Sequence, residues 1–336
     1  MRTTLCERLG IQVPIIQAAM GGASCPALAA AVSNAGGLGM LALSWSDLDA
    51  VRRQIRETRA LTGRPFGANL VLEWPQKDRL AVCLEEGVPI ISFFWGNSAR
   101  LLERVHAAGS IVVHTVPSAD EARRAVDAGV DVIVAQGWEA GGHVNGQVAT
   151  LPLVPAVVDA VSPTPVVAAG GIADGRGLAA VLALGASGAW IGTRFLASRE
   201  AAVHPRYQEL LLEAKETDTV YTELFDVGWP NAPHRVLRNE TVELWEAAGR
   251  PRSGERPGEG EVIATSAVRG PIVRYRSATP TSDAEGSIDA LSLWAGQGVG
   301  LVSRAQPAAE IVREIVDEAE SILVRLAAAT AVRSPA

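Results

Sequence analysis

From residue 13 the chain repeats one unit: a short apolar run, a turn of Gly, Pro or polar residues, then an amphipathic Ala/Leu/Val/Arg segment. The apolar runs begin at Val13, Leu38, Phe66, Val88, Ile111, Val130, Pro165 and Ser187, with helical segments between them. Runs such as VDVIVAQ lack alternation, which places them in strands covered on both faces, as in a parallel sheet. Eight such strands alternating with single helices predict an α/β fold, a parallel sheet closed into a (β/α)8 TIM barrel. A doubly wound sheet would want fewer strands and, for a dinucleotide, GxGxxG after the first. Here QAAMGGASCP follows the first strand, and GQGVG at 296–300 has no convincing strand before it.

The helices carry their own signals. Ser46–Ala60 reads as a helix with Ser46 as N-cap and Leu48, Val51 and Ile55 on one face. Ser118–Ala128 opens with Ser118 three residues before Glu121, a capping-box pattern, and stops at Gly129. After Arg199 the rhythm ends. Residues 201–290 hold helical material at Tyr207–Thr217 and Asn239–Ala248, and a polar stretch, Gly249–Glu261, that reads as a mobile loop. This is too long for a strand–helix connection and is expected to be a helical, substrate-covering subdomain. The barrel is then formed by 1–200 and 291–330, closed by an amphipathic helix over Pro307–Ala329.

Composition narrows the function. Of 336 residues, 48% are apolar and 20% charged, so most of the chain is globular, and a net charge of −7 disfavours nucleic acid or anionic lipid as partner. Cys6, Cys25 and Cys83 lack metal-ligand spacing and read as reduced thiols. With no signal-peptide pattern and no apolar run near the ~20 residues that span a bilayer, a soluble cytoplasmic protein is expected. No His/Cys/Asp cluster suggests a metal, and neither GxSxG nor a Cys/His pair suggests a covalent hydrolase.

Strand starts are 25, 28, 22, 23, 19, 35 and 22 residues apart, so the one long interval follows the sixth strand. Loops after the strands build a barrel's active face, and the longest of them, Gly137–Thr150, carries His143. An arbitrary loop histidine is more often solvated, but the glycines before His143 and the position of its loop favour a general base or acid, whose usual pKa of about 6.5 suits proton abstraction at neutral pH. Glu139 either orients it or lies in solvent. His114 ends the fifth strand, facing the mouth or the core, while His106, His204 and His234 read as surface residues. Gly170–Gly171 and Gly192–Thr193 end the seventh and eighth strands, where barrels commonly hold phosphate on backbone N–H groups. Gln17, Ala18, Ala19, Met20 and Gly21, with Asn69 and Gln136, add uncharged groups at other strand ends that suit a flat heteroaromatic ring.

Six segments in this order and spacing, PIIQAAMGG, GANL, AQGWEAGGHVNG, AAGGIADGRG, WIGTRFLAS and AGQGVGLV, resemble the nitronate monooxygenase family, whose relatives include flavin enoyl-acyl-carrier-protein reductases and NADH:quinone reductases. The resemblance implies an FMN-binding TIM barrel with a smaller helical domain. It assigns the FMN phosphate to Gly170, Gly171, Gly192 and Thr193. It lines the flavin with Ala18, Ala19, Met20, Asn69, Gln136 and Gly141, and brings Gln297 and Gly298 near it. It makes His143 the catalytic base, and leaves bulky Trp138 to shape the pocket. The implied reaction is oxidation of alkyl nitronates, and of nitroalkanes after loss of the α-proton, by O2 to a carbonyl compound and nitrite. The partners are then a small nitronate or nitroalkane and O2, without nucleic acid or membrane, in a monomer or homodimer. Two further readings stand beside it: an NAD(P)H-dependent flavin reductase of an enoyl thioester or quinone, and a flavin-free barrel for a phosphorylated ligand.

Overall fold

The computed structural model describes residues 1–331. All eight expected strands form: β1 (Ile15–Gln17), β2 (Gly39–Ala42), β3 (Phe66–Val71), β4 (Ile90–Phe94), β5 (Ile111–Val116), β6 (Val132–Gln136), then, after a two-residue strand β7 (Gly142–His143), β8 (Val166–Ala169) and β9 (Gly188–Ile191). Pairing is parallel throughout the barrel, in the order β1–β9–β8–β6–β5–β4–β3–β2. A parallel bridge between Ile16 and Leu38 joins the two ends, with Gln17 N–H donating to Leu38 O at 2.9 Å. The barrel is therefore closed.

Side chains alternate across its wall. Ile16, Met40, Ile90, Val113, Val132, Val134, Val167 and Ala169 pack inside, whereas Ile91, Phe93, Val112, Ile133 and Ala135 pack against the helices. Burying each such side chain contributes about 1.5–3 kcal/mol, which is why uninterrupted apolar runs mark these strands. Gly39 shows how close the layers lie: a Cβ there would sit 1.9 Å from Ala29 O of the helix Pro26–Asn34.

The Ser118 hydroxyl accepts from Glu121 N–H at 3.2 Å, as its spacing predicts. The helix expected from Ser46 instead starts at Leu48 and is capped by Asp47, whose carboxylate accepts from Ala50 N–H at 2.7 Å. An ionised cap outcompetes the hydroxyl one residue earlier, being both an acceptor and an anion at the helix's positive end. The final helix, Ala308–Ala331, packs on Gly175–Ala183 and Pro26–Asn34, completing the outer ring.

Residues 201–290 are not mainly helical. Two helices, Pro205–Glu213 and Glu240–Ala247, accompany β10 (Thr219–Thr222), β11 (His234–Leu237), β12 (Val262–Ser266), β13 (Gly270–Val273) and β14 (Ala284–Gly286). These make two small antiparallel sheets, β13–β12–β14 and β10–β11–β7, the second including the short strand of the long loop. The strands here are short and, apart from the buried but polar-led β11, half-exposed, so they lack the long apolar runs that betray barrel strands. The polar stretch 249–261, expected to be mobile, is anchored through Arg256. This buried side chain pairs with Asp226 at 2.9 Å and with Glu259, and its guanidinium lies 4.3 Å from the Tyr275 ring centre.

Candidate active site

The carboxyl ends of the strands gather the residues singled out in the sequence. Asn69, Ser92 and Gln136 lie on the inward face, since each shares the parity of inward neighbours such as Ile90 and Val134. Asn69 and Ser92 are register partners. The buried Ser92 Oγ has no hydrogen-bond partner, an uncompensated polar atom at the floor of the mouth. Gln136 donates from Nε2 to His143 O at 3.1 Å and so ties the strand end to the long loop.

Beside this floor runs a glycine-rich arc. A Cβ on Gly192 would lie 3.5 Å from Ala18 Cβ and 3.8 Å from Met20 Sδ, and Ala19 packs on the barrel interior. Thr193 Oγ1 accepts from Gly296 N–H at 3.0 Å, leaving its own proton free to donate. Gln297 N–H donates to Glu139 O at 3.0 Å, and Gly298 lies against the Gly171 backbone. Gly170 and Gly171 have φ of 103° and 72°, the left-handed region that glycine enters freely. Beyond Gly171 a Cβ would meet nothing nearer than Glu139 at 3.9 Å, and the residue lines a cleft of about 320 Å³ with Gln297, Gly298, Glu139 and Glu216. Gly141 is different: a Cβ there would lie 2.4 Å from Gly296 N, so its glycine is required by the protein's own backbone.

His143 is held by β7. It pairs with β11, with His234 opposite His143 and Arg235 opposite Gly142, and Val144 N–H donates to Pro233 O at 2.9 Å. The histidine's backbone is thus fixed by the segment after residue 200, and is no free loop. Its Nε2 is sealed from solvent and has no partner. Burial, then the nearby His234, push its pKa well below 6.5, so the ring is neutral and proton-accepting at neutral pH.

The wall opposite is aromatic. Trp229 stacks on His143 at 3.8 Å between ring centres with 26° between planes. Around Trp229 lie Trp74 at 4.8 Å, Trp95 at 5.1 Å and Trp45 at 6.4 Å, while Trp294 sits 5.1 Å from His143. Five of the chain's eight tryptophans therefore converge on this histidine. Trp95 also adopts φ of 63°, a left-handed strain that a bulky residue holds only when its surroundings impose it. The sequence did hold a signal: Trp45, Trp74 and Trp95 each follow a barrel strand within a few residues. Trp229 and Trp294 carried none.

Several expectations change. His234, read as a surface residue, is fully buried behind His143. Its Nδ1 lies 2.8 Å from Ala232 O and its Nε2 accepts from Phe225 N–H at 3.2 Å, which fixes the proton on Nδ1, and burial lowers its pKa to about 4. His114 shares the helix-facing parity of Val112 and Val116, so it is a core group outside the mouth, with its pKa lowered by burial to about 4. Glu139 does not orient His143: its carboxylate accepts from Thr150 N–H at 2.8 Å and Thr150 Oγ1 at 3.0 Å. Trp138 leaves the mouth to stack near Tyr221, at 5.5 Å between centres. Gln17 is a satisfied core amide, donating to Ser24 Oγ at 2.9 Å and accepting from Met40 N–H at 3.0 Å.

A closed barrel with a neutral histidine, inward amides and glycine-rich turns at the carboxyl ends of its strands defines a (β/α)8-barrel enzyme with its chemistry at that face. The nitronate monooxygenase family model matches residues 2–78 and 73–318. The chain belongs to that family. It is 33% identical to a nitronate monooxygenase of Paraburkholderia phytofirmans over 97% of both chains. It is 41% identical to a (3aS,4S,5R,7aS)-5-hydroxy-7a-methyl-1-oxo-octahydro-1H-indene-4-carboxyl-CoA dehydrogenase of Mycobacterium tuberculosis, over 75% of this chain and 70% of that one. Among solved structures, FabK from Thermotoga maritima superposes with a TM-score of 0.83 at 36% identity, covering 98% and 99% of the two chains. A nitroalkane oxidase from Streptomyces ansochromogenes gives 0.77 at 29%, covering 96% and 99%. The protein is an oxidoreductase of a flavin-dependent family. Among the described residues no helix is long and apolar enough to cross a membrane.

Proposed function

We propose that the protein uses FMN to oxidise alkyl nitronates, and nitroalkanes once deprotonated, with O2 as acceptor, giving a carbonyl compound and nitrite. The observation that carries this reading is the sealed, unpartnered Nε2 of a neutral His143 beside the glycine arc. The residues fit the cofactor. Gly170, Gly171, Gly192 and Thr193 would hold its phosphate, and Thr193 retains a free hydroxyl proton for an anion. Asn69, Gln136 and the orphaned Ser92 Oγ would meet the polar edge of a flat ring, with Ala18, Ala19, Met20, Gln297 and Gly298 around it. When bound, the flavin supplies the electron transfer.

His143 takes the α-proton of a neutral nitroalkane on Nε2 in the tautomer that carries its own proton on Nδ1, burial keeping the ring uncharged before the transfer. Trp229 stacks on the face of the ring and holds its plane, so the substrate's proton is taken at the ring edge. The tryptophans then exclude water, which strengthens every polar contact left inside. His234, locked as the Nδ1–H tautomer, backs His143 without adding charge.

The reductase reading, on an enoyl thioester, has specific support in the similarity to the carboxyl-CoA dehydrogenase. Anaerobic mixing of the purified flavoprotein separates the two. Bleaching by ethylnitronate with no response to NADH or NADPH supports nitronate oxidation; bleaching by a nicotinamide alone assigns the reductase role.

A further inference from the structure

On the far side of the strand that carries His234 lies a second hollow, of about 420 Å³, that the reaction above leaves unused. Its most buried member is Arg235, 2% exposed, whose guanidinium is clamped between aromatic rings, 4.7 Å from Trp138 and 5.6 Å from Tyr221. It donates to Trp138 O at 3.0 Å and Thr219 Oγ1 at 3.3 Å. Burial lowers its pKa, and the nearby Glu139 carboxylate offsets this only in part, from beyond direct ion-pair contact. A buried cation whose only opposite charge lies beyond contact is costly, and a further anion against it would offset that cost. The hollow adds Arg238, Arg250 and Trp245, with Glu246 as its one acidic lining residue. Glu246 is already shared by both surface arginines, pairing with Arg238 and with Arg250 at 2.8 Å. Three arginines thus face one glutamate in a chain whose net charge is −7.

We propose that this hollow binds the adenosine-phosphate end of a nucleotide-bearing reactant, its phosphates on Arg235, Arg238 and Arg250 and its base against Trp138, Tyr221 or Trp245. Guanidinium groups pair with phosphate through forked, charge-assisted hydrogen bonds, and flat aromatic and guanidinium faces stack on a purine. The volume falls in the range of small-molecule sites, about 300–1,000 Å³. Gln297 lines both this hollow and the cleft at Gly171, so the two lie on either side of one residue. The same chemistry comes from two sources, a coenzyme A thioester or a nicotinamide dinucleotide phosphate. The proposal does not rest on nitronate oxidation, because binding is read without turnover.

Calorimetric titration of the flavin-loaded full chain with coenzyme A, NADPH and adenosine tests it. Coenzyme A or NADPH should bind, adenosine should bind far more weakly, and raised salt should weaken the phosphate-bearing ligands. Arg238→Glu and Arg250→Glu, both at exposed positions, should each lower that affinity roughly tenfold or more while flavin content, the fold control, is unchanged. Binding by coenzyme A alone, or by NADPH alone, supports the site and identifies its source. Failure of both to bind, binding indifferent to both charge reversals, or adenosine binding as tightly as its phosphorylated relatives overturns it.

Discussion

The two sides of the barrel mouth are built by opposite means. The glycine arc (171, 192, 298) is backbone with side chains removed, laid down by the last two barrel strands and the segment that follows the inserted stretch. The aromatic wall is side chain piled on side chain, drawn from three early strand–helix loops, from Trp229 of the inserted stretch and from Trp294. A backbone cradle is specific for an anion and indifferent to what is attached to it. An aromatic wall has no preference for charge but selects size and flatness. The comparison suggests why one scaffold serves relatives with different substrates: the arc can stay constant while the wall changes.

The largest expected effect lies in the arc. Gly171→Val places a branched side chain at φ of 72° and over the amide, and the protein should purify colourless; a normal flavin spectrum would remove the phosphate assignment. Next comes the histidine between the two sides. His143→Ala should retain flavin yet lower turnover of neutral nitroalkanes by about 10²–10⁴-fold, and that of preformed nitronates far less. Equal losses on both substrates would contradict the base role. In the wild type, the acidic limb of kcat/KM for a nitroalkane should fall below pH 6.5.

In the wall, Trp229→Ala should cost about 3–5 kcal/mol in denaturant unfolding and expose the His143 ring. The acidic limb should then move up towards 6.5; a limb that stays in place would mean that Trp229 is not what seals Nε2. Acid should weaken the fold as well. His114 and His234 have folded-state pKa values of about 4, depressed from 6.5. The unfolded chain therefore binds protons first as pH drops, so their stabilisation is complete above about pH 6.5 and is lost towards pH 4. Each contributes on the order of 3 kcal/mol across that window, read as a falling urea midpoint. The smallest effect belongs to the floor. Ser92→Ala removes an unpaired hydroxyl and should leave the flavin-free fold unchanged or slightly more stable, by up to about 1 kcal/mol, while weakening flavin retention. Loss of stability with flavin affinity intact would show that the hydroxyl serves the protein alone.

The barrel was legible because each strand is a local signal repeated eight times: an apolar run buried on both faces needs no knowledge of its neighbours. The arc was legible for the same reason, since a glycine pair ending a strand reports a backbone constraint inside one short segment. Ser118 was also local, and it caps its helix as spaced. What escaped depended on parity or distance. His114 and Asn69 both sit in buried strands, and only the pleat decides that one faces the helices and the other the mouth. His234 looked like a surface residue because its burial comes from pairing with β7, about ninety positions earlier in the chain. The strands of 201–290 escaped because they are three to five residues long and mix polar with apolar residues, as in HRVL of the buried β11. By itself the sequence determined the closed barrel, the glycines that end its last two strands and the histidine's place in the loop after the sixth strand, all written in contiguous residues. Only the tertiary structure decided what faces that histidine, because Trp45, Trp74, Trp95, Trp229 and Trp294 become neighbours through closure of the barrel and of the sheet it shares with the inserted stretch.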